Sequence, residues 1–188
     1  MASSLDTDVL WLRDPFPSLN LNEGIDLQIS VDEFKGNQWS ERDQLINTGF
    51  YMIKSNNKTI TLFDEWYSRK DSSTGMKEQD VLVELMRKGA FRRLGLGVRF
   101  LDTVFFSGIC EDSRDVRVVV SVHANCCRSI KAKVQDLTRI MHDWQRSICN
   151  DLKEKTSTKE ESDGGVRQLF VAETAAVVGD DKLALIPR

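Results

Sequence analysis

Histidine is the scarcest of the chemically versatile residues in this 188-residue chain: there are two, His123 and His142, beside four cysteines and three prolines. With so few histidines and no GxSxG turn, nothing supports a hydrolase triad. Neither a GxGxxG fingerprint nor a Walker loop is present, so the common glycine-rich phosphate cradles are excluded. No apolar run approaches the ~18 residues that span a membrane. The longest, Val116 to Val122, is interrupted by Arg117 and Ser121. The opening MASSLDTD lacks the basic start and apolar middle of a signal peptide. As written, the chain is expected to stay where it is synthesised unless residues precede Met1. Positive charge is also in deficit: 26 Lys and Arg against 29 Asp and Glu give a net charge of −3. The isoelectric point near 5.5 argues against general affinity for nucleic-acid phosphates, which would need a basic face.

What is present suits a folded domain. Apolar residues make up 40% of the chain, with eleven glycines, too apolar a mixture for a disordered polymer. At ~150 residues per domain the length argues one domain or slightly more. Such a chain buries roughly 70% of its unfolded surface and needs no metal or disulfide staple. Cys110, Cys126, Cys127 and Cys149 form no CxxC pair, against a zinc ribbon. Adjacent Cys126 and Cys127 resist bonding to each other. Two readings stay open: buried free thiols, or a bond to Cys110 or Cys149 that requires an oxidising compartment. The sequon Asn57-Lys58-Thr59 is usable only in the secretory pathway.

The hydrophobic pattern predicts alternating strands and helices, an α/β domain with a mixed sheet and flanking helices. Strands are expected at 9–12, 25–31, 50–53, 98–101, 104–106 and, from its β-branched run, 116–122. Helices are expected at 57–69, 77–88 and 133–153. Ile60, Phe63, Trp66 and Tyr67 would form the apolar face of the first, and Val81, Leu82, Leu85 and Met86 that of the second. Residues 1–153 are expected as the domain, 154–165 as a flexible linker and 166–188 as a C-terminal tail, because 154–165 shifts to Lys, Glu, Thr, Ser and Gly.

Several groups could carry chemistry. In an extended segment Asp6 and Asp8 point to one face, where two carboxylates can hold a hard divalent cation; a solvated turn is the plainer reading. His123, at a strand end, is the one good nitrogen donor to join them, or else a packed, hydrogen-bonded histidine. Glu78, Gln79 and Asp80 open a helix, where acidic residues complement the macrodipole; Gln79 is not explained that way, and a sugar's hydroxyls would suit all three. Asn47-Thr48-Gly49 reads as a turn that uses the freedom of Gly49. Arg87, Lys88, Arg92, Arg93 and Arg99 read as a solvated face or a contact for phosphate or acidic polysaccharide.

Together DTDVLWLRDPF, INTGFYMIKSN, KEQDVL, VRFLDTVFFSG and VHANCC, in that order and followed by an amphipathic helix, resemble the plant nucleotide-diphospho-sugar transferase domain. Its relatives include the family 77 glycosyltransferases of cell-wall synthesis, and the resemblance covers about residues 4 to 150. It implies a GT-A, Rossmann-like fold and transfer of a sugar, with retention, from a nucleotide donor such as a UDP-sugar to a glycan or glycoprotein acceptor. It implies Mn²⁺ (or Mg²⁺) held by Asp6, Asp8 and His123, a sugar pocket lined by Asn47, Thr48, Gly49 and Trp11, and catalytic roles for Glu78, Gln79 and Asp80. It also implies the Golgi lumen. An Asn common in the family shortly after the acidic-Gln pair is replaced here by Val83 and Glu84. In the family the DxD follows a nucleotide-binding half, whereas here it begins at residue 6, so the chain is expected to be the C-terminal portion of such a domain. The alternative expectation is a non-catalytic pseudoenzyme or fragment acting as a scaffold.

Overall fold

The computed structural model describes residues 2–41, 44–69 and 73–160. The chain divides into two compact units, residues 1–151 and 152–188. The first holds β1 (Ala2–Leu5), β2 (Val9–Trp11), β3 (Leu27–Glu33), β4 (Leu45–Ile53), α1 (Asn57–Ser68), α2 (Glu78–Arg87), α3 (Ala90–Arg93), β5 (Val98–Phe100), β6 (Phe106–Gly108) and β7 (Ser121–His123). Helix α4 runs from Ile130 to Glu160 and enters the second unit. Residues 154–160, expected in the linker, are therefore helical. The rest of the linker and the tail at 166–188 lie outside the described residues.

Two mixed sheets result. The larger has the order β1-β4-β3-β5, antiparallel except where β3 runs parallel to β5. The smaller has the order β2-β7-β6, with β6 and β7 parallel. Strand alternation assigns the layers. Leu27, Ile29, Ile46 and Ile53 face α1, α2 and α3, where they meet Leu62, Leu82, Leu85, Met86 and Phe91. Phe50 and Met52 point to the other side of β4 and join Trp11 and Phe106 of the smaller sheet and Val120, which precedes β7. Val122 on the outer face of that sheet, with Leu12 and Val119 from the segments flanking its strands, packs against Leu137, Ile140 and Trp144 of α4. The fold is a mixed α/β architecture with four helices among the described residues, consistent with a Rossmann-like nucleotide-sugar transferase domain.

Packing dominates local helix signals here. Phe91 and Phe100 are fully buried, each worth about 1.5–3 kcal/mol, against about 1 kcal/mol for a cap such as Asn56 on Thr59. That capping box also uses the sequon threonine: Thr59 is buried, while Asn57 is exposed.

Three local expectations are corrected. Residues 116–122 form a strand only at their end, because the amides of Val118 and Val119 turn back to Asp115 O. Asn47-Thr48-Gly49 is not a turn before a strand but lies inside β4, at an irregularity where β3 advances one residue, Ile29 to Ser30, while its partner moves from Tyr51 to Asn47. The α1 face turned to the core is Thr59 and Leu62, with Phe63 and Trp66 half-buried and Ile60 and Tyr67 exposed. The α2 stripe is buried as expected. The basic run disperses: Lys88 pairs with Glu84, Arg93 with Glu65, and Arg99 turns inward to Gln28 and Gln38.

Candidate functional site

The link between the two sheets carries the first acidic pair. The chain leaves β1, turns at Thr7 and Asp8, and enters β2. The turn is fixed from both sides, since the Asp6 amide donates to Gly49 O (2.9 Å) and the Ala124 amide donates to Asp8 O (3.0 Å). The carboxylates thus converge through a turn rather than along an extended strand. Val9 pairs with His123 across the β2–β7 ladder, which brings the imidazole to the same place. His123 Nε2 lies 3.3 Å from Asp8 Oδ1 and 3.8 Å from Asp6 Oδ2. One ligand atom from each of the three residues falls within 4.8 Å of the other two.

The two carboxyls differ. Asp6 is held above its ordinary value by desolvation, with the charges of Asp8 and Glu78 adding to the rise and His123 and Lys133 opposing it. Burial acts to raise Asp8 too, but the hydrogen bond from Lys133 Nζ and the charges of His123 and Lys133 outweigh it, so Asp8 lies below its ordinary value. Lys133 arrives from the first turns of α4. The repulsion between the two carboxylates is what a divalent cation relieves, and two carboxylate oxygens with one imidazole nitrogen are donors that a hard or borderline cation accepts, so the donor set fits Mn²⁺ or Mg²⁺.

The irregularity in β4 supplies the floor of the site. It removes Thr48 and Gly49 from the ladder and frees their amides, as strand bulges near functional sites do. The Thr48 amide donates to Gln79 Oε1 (3.2 Å), Thr48 Oγ1 to Glu78 Oε1 (3.4 Å), and the Gly49 amide to Asn47 Oδ1 (2.6 Å). Gly49 is required by close approach, because a Cβ there would lie 2.4 Å from His123 Cε1 and Nδ1. Asn47, Thr48, Gly49, Glu78 and Gln79 are therefore gathered beside Asp6, Asp8 and His123. Asp80 is not gathered with them: its Oδ2 accepts from the Lys77 amide (3.0 Å) and caps α2. Trp11 packs edge-on against Phe50, with ring centroids 5.0 Å apart, and Phe50 stacks on Phe106. Trp11 belongs to the intersheet core.

Two residues escaped sequence reasoning, Lys133 and Asp32. Asp32, at the end of β3, accepts from Asn47 Nδ2 (2.6 Å) and Asn125 Nδ2 (2.7 Å) on Oδ1, and from Gln79 Nε2 (3.4 Å) on Oδ2. It ties together three of the motifs that surround the site. In SVDEF it follows an alternating strand and reads as a solvated strand end, so only the fold reveals it. A disulfide, Cys110–Cys126, holds the loop that follows His123. The free-thiol reading is thereby corrected for this pair, while Cys127 and Cys149 are free. The Cys110 amide also donates to Asn125 Oδ1 (3.1 Å).

The nucleotide-diphospho-sugar transferase family model matches residues 4–137, which include every residue of this constellation. Two relatives from Arabidopsis thaliana are uncharacterized proteins. At1g28695 is 53% identical over 152 residues, covering 81% of this chain and 44% of its own length. At4g15970 is 36% identical over 134 residues, covering 71% and 36%. A third, the beta-arabinofuranosyltransferase RAY1 of the same plant, is 30% identical over 112 residues, covering 54% and 21%. The chain thus spans less than half the length of the curated relatives it matches. No solved structure matches. No helix among the described residues is long and apolar enough to cross a membrane. With the acidic pair, the histidine and the Asn-Thr-Gly and Glu-Gln groups joined in one place, and the family model covering them all, the chain belongs to the nucleotide-diphospho-sugar transferase family.

Proposed function

We propose that this chain carries the donor-diphosphate and sugar-binding part of a metal-dependent glycosyltransferase that moves a sugar from a UDP-sugar to a cell-wall glycan or glycoprotein, with retention. The observation that carries the reading is the convergence of Asp6, Asp8 and His123 within 4.8 Å. These three would hold Mn²⁺ or Mg²⁺. Bound there, the cation supplies Lewis-acid stabilisation of charge on the departing nucleoside diphosphate. Lys133, already drawn to Asp8 Oδ2, is the protein's own cation for the same phosphates and compensates the acidic pair. Gln79, with its Oε1 on the Thr48 amide and its Nε2 on Asp32, is fixed at both ends and orients the sugar. Glu78 presents an exposed carboxylate near Asp6. It is placed to bind the sugar's hydroxyls and to stabilise positive charge at the reacting carbon.

The disulfide favours an oxidising compartment. With the exposed sequon Asn57 and a glycosyltransferase among the relatives, it supports the secretory pathway and, within it, the Golgi lumen. The reading is tested by incubating the purified protein with Mn²⁺ and UDP-arabinose, UDP-xylose or UDP-galactose and measuring UDP release. Release from one donor, lost in Asp8→Asn, supports it. Release unchanged in that variant contradicts it.

A further inference from the structure

Glu78 lines a second feature, a groove of about 350 Å³ formed with Phe63, Trp66, Tyr67, Met76 and Val81 between α1 and α2. We infer that this groove is the acceptor subsite and takes a neutral sugar ring of an oligosaccharide chain. The inference rests on the transferase reading above and adds where the acceptor lies.

Three observations carry it. The first is continuity. Glu78 accepts from Thr48 Oγ1 with its side chain, and its backbone oxygen accepts from the Trp66 indole N–H at 2.9 Å. One residue thus joins the groove wall to the sugar-binding group, and a ring in the groove would hold its hydroxyls next to the Glu78 carboxylate.

The second is the composition of the wall. Phe63 and Trp66 meet edge to face, centroids 5.4 Å apart, as a rigid aromatic surface. Tyr67 is 69% exposed and Met76 43% exposed, so the core does not use these side chains fully. The C–H face of a sugar ring packs on such aromatics while its hydroxyls stay available at the rim, and the amphipathic Tyr and Trp suit both halves of that contact. The third is size and charge. The volume falls within the roughly 300–1,000 Å³ of small-molecule sites. Among the described residues the lining brings a carboxylate and no cation, which disfavours the phosphates of the donor and favours an uncharged ligand.

The test follows the Trp66 indole N–H by two-dimensional NMR of the full chain, with the signal identified by its loss in Trp66→Phe. The probes are neutral arabino-, xylo- and galacto-oligosaccharides, and Mn²⁺ with UDP is titrated in parallel. A saturable shift with one oligosaccharide is expected. Tyr67→Ala should weaken it roughly tenfold, the loss of about one aromatic contact, while UDP binding matches the parent. A protein that binds Mn²⁺ and UDP but shows no oligosaccharide shift overturns the subsite and spares the transferase reading. So does oligosaccharide affinity equal to the parent's in both Tyr67→Ala and Met76→Ala. Oligosaccharide binding in a protein that binds no UDP overturns the transferase reading, and with it the role as acceptor subsite.

Discussion

The imidazole of His123 lies directly against Gly49, so closely that a Cβ on residue 49 would sit 2.4 Å from two of its ring atoms. The glycine in β4 and the histidine in β7 thus define each other's place although they belong to different sheets. Gly49→Ala should cost about 1–3 kcal/mol by overpacking and weaken Mn²⁺ binding by moving the ring. Because the clash is mainly with His123, the double variant Gly49→Ala/His123→Ala should be more stable than Gly49→Ala alone. Denaturant unfolding of the four-member cycle measures that coupling directly.

Asp32 is expected to matter more than its place at a strand end suggests. Asp32→Ala removes the shared acceptor of the Asn47, Asn125 and Gln79 amides. Leaving part-buried donors without partners costs about 1–3 kcal/mol. Asp32→Asn keeps one acceptor oxygen and should recover part of the loss. A comparison of the two by urea unfolding separates lost hydrogen bonding from lost charge. Equal stability of Asp32→Ala and the parent would remove Asp32 from the account.

Acid should loosen the fold at Asp26, which is buried immediately before β3. Burial acts to raise its pKa, but the Gly97 amide, the Asn56 side chain and Lys58 outweigh it and hold the carboxyl below its ordinary value. A depressed folded-state pKa contributes stability above the unfolded value of about 3.9, and that contribution is lost as the pH falls through it toward the folded value. Asp26→Asn should therefore be less stable than the parent at neutral pH and lose less between pH 5 and pH 3, an interval set around that value. Melting temperatures across the interval report the difference.

The Cys110–Cys126 bond closes a 16-residue separation in sequence. Chain-entropy reasoning gives about 3 kcal/mol for a loop of roughly 15 residues. Cys110→Ser should lower stability by up to that amount and loosen the loop that bears Asn125. Non-reducing peptide mapping of the oxidised protein should recover Cys110 and Cys126 in one linked fragment. Linkage through Cys127 or Cys149 instead would contradict the arrangement.

The periodic parts of the fold were legible in the sequence. Helix α2 buries Val81, Leu82, Leu85 and Met86 as its spacing demands. Local chemistry misled where tertiary contacts decide. The valines at 118–120 promise a long strand, yet Asp115 draws two of their amides into a turn. The freedom of Gly49 suggests a turn, yet the glycine answers a ring from another sheet. In the sequence Asp6, Asp8 and His123 are joined by donor chemistry and by the resemblance, not by position, because 115 or more residues separate the histidine from the acidic pair. Asp32 could not be found at all, since each of its three donors comes from a different element. Trp11 and Asp80 were assigned to the site by motif; in the fold Trp11 packs on Phe50 and Asp80 caps α2.

The central claim is that Asp6, Asp8 and His123 form a cation site for the donor's diphosphate. Isothermal titration of the purified protein with UDP, with and without Mn²⁺, tests it most directly, beside the Asp6→Ala/Asp8→Ala variant. The account predicts UDP binding that depends on Mn²⁺ and disappears in the variant while the variant remains folded. Folded parent protein that binds neither Mn²⁺ nor UDP, or binds UDP equally well after both aspartates are removed, would contradict it.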